Sequence, residues 1–494
     1  MSVPVHARSF DKLFIGGHWV DPATDRRIDV VSPSTEEPLG SVPCAAPADV
    51  DVAVAAARHA FDSGEWRELP GSERARLMNR VADEMEKRLP ELVETFTAEI
   101  GAPIGMSRHM HAMAINFWRW NAGWIEEIDF VEERRWAGGE GVVRREPVGV
   151  VAAINPWNGP VASASIKMAP ALAAGCTVVA KPPVEGPIAT FVLAEALEAA
   201  GFPEGVVSIL PAGRDAGEHL VAHPDVDKVT FTGSTATGRR IMELCAPGIT
   251  RLTLELGGKS PGIICDDIDI ATVLPALVGA GVGHSGQVCA AITRLLIARS
   301  RYDEVVEALA AALAGLTVGD PFDEGTDLGP LASERQRARV EEYIALGRGA
   351  GARVVTGGGR PAGRDHGWFV EPTMFADVDN GMRIAREEIF GPVLVAIPFD
   401  SDDEAVALAN DSEYGLSGAV FSADPGRAAK LARRIRSGQV FVNSAGVCAV
   451  QPFGGFKNSG FGRECGREGI DPYLETSVLV GPVGLGLDIG LAGL

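Results

Sequence analysis

The chain has 494 residues and no Cys-x-x-Cys pair among its seven cysteines, which stand at positions 44, 176, 245, 265, 289, 448 and 465. Zinc ribbons need cysteines at that spacing, and disulfide frameworks use an even set in a much shorter chain. The odd, scattered set excludes both classes and is typical of a reducing compartment. We therefore predict a cytoplasmic protein without a metal site.

Basic residues are also scarce, with 45 Lys and Arg against 66 Asp and Glu, which gives a net charge of −21. A surface of that sign repels a phosphate backbone, so we predict no nucleic-acid partner. The segment from Met1 to Asp11 lacks the apolar stretch of a secretory signal, so we predict no secretory signal there.

A third absence is a run without Asp, Glu, Lys or Arg from Ile270 to Thr293, long enough to cross a bilayer. It contains Pro275, His284, Ser285, Gln287 and four glycines, which make it less hydrophobic than a spanning helix. We therefore predict no membrane partner and interpret the run as a buried helix that leads to Cys289.

Strand-like and helix-like segments alternate along the chain. A chain this long exceeds one hydrophobic core, so two or three domains are expected. Strands separated by helices predict parallel sheets with crossover helices, and hence an α/β fold. The predicted helices are 49–62, 72–99 (with Ser72 as its cap) and 188–200, and the predicted strands are 148–154, 177–180, 206–210, 228–232, 293–297 and 440–443.

The segment Phe231-Thr232-Gly233-Ser234-Thr235-Ala236-Thr237-Gly238 follows a predicted strand and should open a helix. Free N–H groups at such a helix start can bind a pyrophosphate. The glycine spacing is not Gly-x-Gly-x-x-Gly, so a capped strand-to-helix turn without a ligand is the alternative when this segment is taken alone.

Two further segments combine a nucleophile with a carboxylate. Glu255 lies in Leu254-Glu255-Leu256-Gly257-Gly258-Lys259-Ser260-Pro261, and Cys289 lies in Gly286-Gln287-Val288-Cys289. A thiolate and a general base are what forming and hydrolysing a thioester requires. Taken singly, a buried Cys is more often inert core and a Glu more often a solvated charge. Together the segments resemble the signature stretches of the NAD(P)-dependent aldehyde dehydrogenase superfamily, and the resemblance runs from about Leu13 to about Val480.

This resemblance implies a three-part architecture and an assembly. It assigns residues 1–127 and 148–257 to a Rossmann-like cofactor domain, residues 258–473 to an α/β catalytic domain, and residues 128–147 and 474–494 to a small β oligomerisation flap with its tail. The flap strand, at Tyr473 to Val480, would add to a neighbour's sheet, so a homodimer or homotetramer is expected. The Gly- and Leu-rich tail from Gly481 to Leu494 has no assigned role.

The resemblance also implies roles for the catalytic residues. Cys289 would attack the aldehyde carbon, and Asn158 with the Cys289 backbone N–H would hold the oxyanion. Glu255 would activate the water that hydrolyses the thioester. Lys167 and Glu464 would form a proton exit route.

The implied cofactor is NAD or NADP. Lys181 would bind the adenosine ribose, and Glu388 and Phe390 would hold the nicotinamide end. A helix cap and an ordinary core ring are the alternatives for these two residues, and the match over Glu387-Glu388-Ile389-Phe390-Gly391-Pro392 argues against them. The full set of cofactor-binding residues is Ile154, Trp157, Lys181, Val184, Gly213, Gly233, Ser234, Leu256, Glu388 and Phe390.

One departure from the family pattern concerns the cofactor. Val184 stands where the family usually has a Glu that accepts from the ribose 2′-hydroxyl, and Glu185 is displaced by one position. Loss of that carboxylate removes a repulsion against a 2′-phosphate, so NADP should be tolerated unless Glu185 takes over the role.

A second departure concerns the substrate. Gly159 replaces an aromatic residue common in the family, and Ser163, Ile166 and Val447 stand at tunnel positions that are often bulky. These residues predict a wide, apolar entrance for a bulky or apolar aldehyde whose identity the sequence does not specify. The competing functions are a CoA-acylating dehydrogenase, which typically lacks the general-base Glu, and a silent structural protein, which would be expected to lose Cys289 or Glu255.

Overall fold

The structure, a computed structural model, describes residues 8–482 of the chain. Its strands are β1 Leu13–Ile15, β2 His18–Val20, β3 Arg27–Val31, β4 Pro38–Pro43, β5 Val131–Trp136, β6 Gly139–Pro147, β7 Val150–Ile154, β8 Thr177–Lys181, β9 Val207–Ile209, β10 Lys228–Thr232, β11 Arg251–Glu255, β12 Ser260–Ile264, β13 Ile292–Ala298, β14 Arg353–Thr356, β15 Thr373–Ala376, β16 Val393–Phe399, β17 Ser417–Phe421, β18 Gln439–Val442, β19 Gly460–Phe461 and β20 Leu474–Gly481.

The helices alternate with these strands. They are α1 Pro47–Ser63, α2 Gly71–Lys87, α3 Leu89–Ile100, α4 Ile104–Trp124, α5 Pro160–Ala174, α6 Ile188–Ala200, α7 Arg214–Ala222, α8 Thr235–Cys245, α9 Ile270–Val282, α10 Tyr302–Ala314, α11 Glu334–Gly349, α12 Arg383–Arg386, α13 Asp402–Asn410 and α14 Pro425–Ala432.

The first sheet has eight strands in the order β19-β11-β10-β7-β8-β9-β1-β2. Its five central strands, β11 to β9 in that order, are parallel, and the short strands β19 and β1–β2 extend it antiparallel at the two edges. The central strand β7 is buried along its whole length, as its Val, Ala and Ile side chains require in a sheet covered on both faces. The predicted α/β class is confirmed.

The second sheet has seven strands in the order β14-β15-β16-β13-β12-β17-β18, antiparallel only at β14–β15. Strand β19, which comes from the range assigned by resemblance to the catalytic domain, pairs with β11 of the first sheet. That pairing ties the C-terminal part of the chain to the strand that ends at Glu255.

A third sheet, β20-β6-β5, stands apart from the two large ones. Its last strand pairs along its full length with β6 of the same chain, from Leu474 opposite Pro147 to Gly481 opposite Glu140. Its strands come from the two ranges that we assigned to the flap. The predicted tail lies outside the described residues from position 483 onward.

Two predictions about helices need correction. The helix predicted at 72–99 is two helices separated at Arg88, because Pro90 lies in the first turn of α3, where a missing N–H is tolerated, and cannot continue α2. Ser72 is not the cap, since the cap position of α2 is Pro70 and no side chain caps it.

The charge-free run contains the predicted helix that leads to Cys289, and this helix is buried on one face. Helix α9 ends at Val282, and Cys289 lies in the loop that follows rather than on the helix. Within residues 8–482, no helix is both long and apolar enough to span a membrane.

Candidate active site

The strand order of the first sheet creates a crevice. Strands β7 and β10 are neighbours, and the chain proceeds outward from β7 through β8 and β9 on one side and from β10 to β11 on the other. Ligands of open α/β sheets bind at the carboxyl ends of strands where the order reverses in this way. The candidate residues that end or follow these strands are Ile154, Trp157, Asn158, Lys181, Val184, Gly233, Ser234, Glu255 and Leu256.

The start of α8 forms one wall of this crevice. Ser234 is its N-cap and accepts a hydrogen bond from Thr237 N at 3.2 Å. Gly233 has no room for a side chain on its inner side, because a Cβ there would lie 2.4 Å from Cζ of Phe231. The strand-to-helix turn predicted from the sequence is therefore present, with its first N–H groups at the crevice. Gly213 holds the corresponding N-cap position of α7.

Lys181 lies at the end of β8 on the same side. Its Nζ donates to Pro182 O at 3.0 Å, and its Cε is 3.1 Å from where a Cβ on Gly217 would stand. Burial lowers the pKa of Lys181, and the nearby charge of Glu185 opposes that shift.

The second sheet contributes Glu388 and Phe390 from the loop after α12. The Glu388 carboxylate accepts a hydrogen bond from Gly258 N at 3.1 Å, and it fills the space where a Cβ on Gly257 would stand, 2.4 Å from Oε2. Burial raises the pKa of Glu388 to about 7. Phe390 packs edge-on against Trp157 with ring centroids 5.3 Å apart, so residues of the two large sheets meet here.

The loop before Cys289 has an unusual backbone. His284, Ser285 and Gly286 all have left-handed φ angles, and a Cβ on Gly286 would lie 2.1 Å from Gly391 O. Ser285 Oγ donates to Gly329 O at 2.7 Å. Burial lowers the pKa of His284 to about 4, so its neutral ring donates through Nε2 to the Asn158 carbonyl at 2.9 Å. These contacts fix the loop despite its strain.

Cys289 is held against the Gly257–Gly258 turn. A Cβ on Gly258 would lie 2.4 Å from the Cys289 carbonyl oxygen, so only glycine allows this approach. Burial raises the pKa of Cys289 to about 12, and the charges of Glu255 and Glu388 add to the shift. At neutral pH the resting group is therefore a thiol, and it needs a base to become a nucleophile.

Glu255 ends β11 and is almost completely buried. Neither carboxylate oxygen has a hydrogen-bond partner within residues 8–482. Burial raises the pKa of Glu255 well above its usual value, the charge of Glu464 raises it further, and Lys167 opposes both. An unpaired buried carboxyl is costly to keep, which is typical of a group held for a reaction.

Asn158 and the pair Lys167–Glu464 surround these two groups. Asn158 Nδ2 donates to Gln287 O at 2.8 Å, two residues before Cys289. Lys167, on α5, is fully buried. Its Nζ contacts Glu464 Oε1 at 2.5 Å and donates to Thr232 Oγ1 at 2.7 Å. The five residues proposed as catalytic therefore converge on one region.

An apolar stripe on α4 leads toward Cys289, and the sequence reasoning missed it. The stripe comprises Met106, Met110, Met113, Phe117, Trp120 and Trp124, alternating at intervals of four and three residues, the spacing of one helix face. Phe117, Met113 and Trp120 pack in one cluster with Ile166, Val288 and Cys289. The periodicity of this segment was the signal that could have found it.

The entrance differs in one respect from the prediction. A Cβ on Gly159 would lie 2.9 Å from Cε of Met110 and 3.9 Å from Ser163 Oγ. The flexible end of the Met110 side chain therefore occupies part of the volume that Gly159 was expected to leave free at the entrance. Val447 is exposed at the surface.

Two other charged residues near the crevice, Lys259 and Arg335, were not singled out from the sequence. Lys259, next to the glycine turn, is buried, and burial lowers its pKa to about 7. Glu185 Oε1 pairs with Arg335 Nη2 at 3.0 Å. Among residues 8–482, no group of His, Cys, Asp and Glu could hold a metal ion.

Comparisons with known proteins place this geometry in a family. A family model described as "Aldehyde dehydrogenase family" matches residues 19–479. A relative named geranial dehydrogenase, from Castellaniella defragrans, is 48% identical over 463 residues, which cover 93% of this chain and 96% of the relative.

Solved structures agree. An aldehyde dehydrogenase of Mycobacterium tuberculosis in complex with NAD+ superposes with a TM-score of 0.95 at 46% identity, covering 97% of this chain and 99% of the other. A mutant of aldehyde dehydrogenase C from Pseudomonas syringae, in complex with NAD+ and octanal, gives 0.92 at 41% identity and covers 97% of each chain.

Proposed function

The chain belongs to the aldehyde dehydrogenase family, and we propose that it oxidises an aldehyde to the carboxylic acid, with NAD+ or NADP+ as hydride acceptor. The observation that carries this proposal is the pairing of Cys289 with the partnerless buried carboxyl of Glu255 around the Gly257–Gly258 turn. A CoA-acylating enzyme would have no use for that carboxyl.

In the first step Sγ of Cys289 bonds to the aldehyde carbon. The thiol proton needs an acceptor, and the raised pKa of Glu255 makes its carboxylate a stronger base than an ordinary Glu. The Asn158 amide and the Cys289 N–H donate to the oxygen that becomes negative, after Asn158 exchanges its present acceptor, Gln287 O. The nicotinamide, when bound, accepts the hydride from the aldehyde carbon.

In the second step a water oxygen bonds to the thioester carbon and the Cys289 sulfur leaves. After the thiol proton of the first step has left Glu255 through the Lys167–Glu464 pair, Glu255 takes the water proton and passes it along the same route, and the Cys289 sulfur leaves as a thiolate. Neutralising the Glu255 anion also relieves its repulsion with Glu464, which favours the transfer.

The crevice residues fit a dinucleotide. The α8 start offers N–H groups to a pyrophosphate, Lys181 stands at the adenosine side, and Glu388 and Phe390 stand at the nicotinamide side. The NAD+ complexes of the Mycobacterium tuberculosis and Pseudomonas syringae enzymes support this assignment. Residues 1–127 and 148–257 would then form the cofactor domain and residues 258–473 the catalytic domain.

The substrate class we propose is an apolar aldehyde longer than acetaldehyde. The α4 stripe and Ile166 offer aromatic and thioether surface on the approach to Cys289. Geranial and octanal, the aldehydes in the names of the two similar proteins, belong to this class.

For the whole molecule we propose a homodimer or homotetramer that uses the β20-β6-β5 sheet. Trp136, Val478 and Val480 are exposed together on this sheet, and a group of exposed apolar side chains is typical of a surface that another subunit covers. A cytoplasmic location stays a prediction.

The decisive test is the absorbance of the reduced cofactor after protein, aldehyde and NAD+ are mixed without CoA. We expect steady production with octanal and none with Cys289→Ala. Production that starts only when CoA is added would contradict the hydrolytic reaction, and no production under either condition would favour the silent scaffold.

A further inference from the structure

An ion pair joins the loop that follows Lys181 to the second sheet's layer. Glu185, in the loop after β8 of the first sheet, contacts Arg335 in the first turn of α11, which belongs to the second sheet's layer, with Oε1 and Nη2 3.0 Å apart. The guanidinium is 81% exposed, whereas the carboxylate is 18% exposed. The pair therefore presents an accessible cation at the rim of the crevice.

The first turn of α11 holds this cation in a defined place. Ser333 caps the helix by accepting from Gln336 N at 3.2 Å, and Gln336 Nε2 donates to Phe390 O at 2.6 Å. Arg335 thus projects from a turn that is anchored to the loop of the proposed nicotinamide site.

Glu185, which contacts Arg335, shares the end of β8 and the loop after it with Lys181 and Val184. The Glu185 charge acts on Lys181 as well, since it raises the pKa that burial lowers. Two cations, Lys181 and Arg335, therefore share one carboxylate, and Val184 beside them offers no charge.

We propose that Arg335 is a specificity-determining residue for the cofactor: it releases Glu185 and pairs with the 2′-phosphate of NADP, together with Lys181. This inference rests on the proposed function, because it takes the adenosine ribose to lie beside Lys181 and Val184. With NAD, the Glu185–Arg335 pair stays closed and the ribose meets no charge from Val184.

The energetics favour such an exchange. The guanidinium side of this pair is exposed, and ion pairs at the surface contribute little stability, so giving up Glu185 costs Arg335 little. A phosphate dianion accepts two N–H bonds from a guanidinium, which is stronger than the single contact at Glu185.

The test measures binding rather than turnover, by calorimetry with ADP-ribose and with 2′-phospho-ADP-ribose, which both lack the nicotinamide. Arg335→Ala should weaken the phosphorylated probe about tenfold and leave ADP-ribose unchanged, because only the phosphate contacts the guanidinium. Glu185→Gln should strengthen the phosphorylated probe, since it removes both a competitor and a repulsion. Arg299→Ala, which removes an exposed Arg paired with Asp400, is the matched control and should change neither affinity.

Two failures are distinguishable. If neither probe binds the parent, the proposed cofactor site is wrong. The inference is overturned if ADP-ribose binds the parent but Arg335→Ala weakens the binding of both probes equally or weakens the binding of neither probe. Arg335 would then not contact the 2′-phosphate. The Arg335→Ala effect should also shrink in high salt, as expected for a charge contact at the surface.

Discussion

At the scale of single residues, Glu255 is the group whose environment is most specific to a reaction. Glu255→Gln should leave thioester formation partly intact, with water taking the thiol proton more slowly, while blocking thioester hydrolysis, because Gln cannot take a proton from water. We expect a burst of reduced cofactor followed by steady turnover about a hundredfold or more below the parent. Rapid-mixing absorbance measures both phases.

Cys289→Ala is the control for this experiment, since it should remove the burst as well. Normal turnover of Glu255→Gln would show that another residue is the base, and Glu464 would be the next candidate, given its position behind Glu255.

The pH dependence of thioester hydrolysis should reveal the repulsion between the carboxylates of Glu255 and Glu464. A general base works when deprotonated, so the raised pKa of Glu255 places the acidic limb of thioester hydrolysis at a higher pH than an ordinary Glu would give. Glu464→Gln removes the charge that raises this pKa further, and the limb should therefore move to lower pH. The measurement is the single-turnover hydrolysis rate from pH 5 to 9.

The matched control is Glu468→Gln, an exposed carboxylate on the same segment, which should leave the limb in place. A limb that stays fixed or moves upward in Glu464→Gln would mean that the Glu464 charge does not act on the base.

The sequence motifs identified the candidate catalytic residues, but they did not predict the contacts that surround them in the structure. The sequence placed Glu255 and Cys289 in glycine-rich segments, and the structure explains the glycines, since side chains at 257 and 258 would collide with Glu388 and the Cys289 carbonyl. The Glu185–Arg335 pair could not be foreseen, because it joins residues far apart in the chain through packing of the two layers.

At the scale of elements, α4 and the start of α5 together shape the approach to Cys289. Gly159→Phe should raise the KM for octanal about tenfold while changing that for acetaldehyde little, because the ring takes volume that a long chain needs. The Phe ring would displace the end of the Met110 side chain, and because that end is flexible the variant should still fold. Steady-state kinetics over a series of chain lengths measures the effect.

Gly159→Ala, a smaller addition at the same place, should give a weaker effect with the same dependence on chain length. An equal rise in KM for every aldehyde would show that position 159 does not line the approach.

Element boundaries followed local signals where these were strong. Helix α6 and strand β10 have the predicted bounds, because apolar runs end there at Gly, Pro or Ser. The short strands β1 and β2 were not predicted, since three residues carry too little periodicity and become strands only by pairing beside β9. The break between α2 and α3 at Arg88 was not predicted, because the helical pattern of apolar residues continues across it.

At the scale of the whole molecule, the β20-β6-β5 sheet is where subunits should meet. One edge each of β5 and β20 has no partner strand within residues 8–482, and Val480 is 66% exposed beside it. We expect a dimer or tetramer in sedimentation velocity at micromolar concentration, and Val480→Lys should shift it to smaller species, because a charge would be buried without a partner.

Val52→Lys is the control, because Val52 is an equally exposed valine on α1. It should leave the assembly intact. A monomeric parent protein would refute the proposed assembly.

The same sheet also governs the order in which the chain can fold as it is made. Hairpin β5–β6 leaves the ribosome early, but the strand that completes it lies roughly 330 residues later, so at about 5–20 residues per second β6 waits for tens of seconds. During that time its edge is open to the edges of other nascent chains. A chain that terminates before Leu474 lacks β20, so this edge of β6 finds no partner strand from β20 of its own chain.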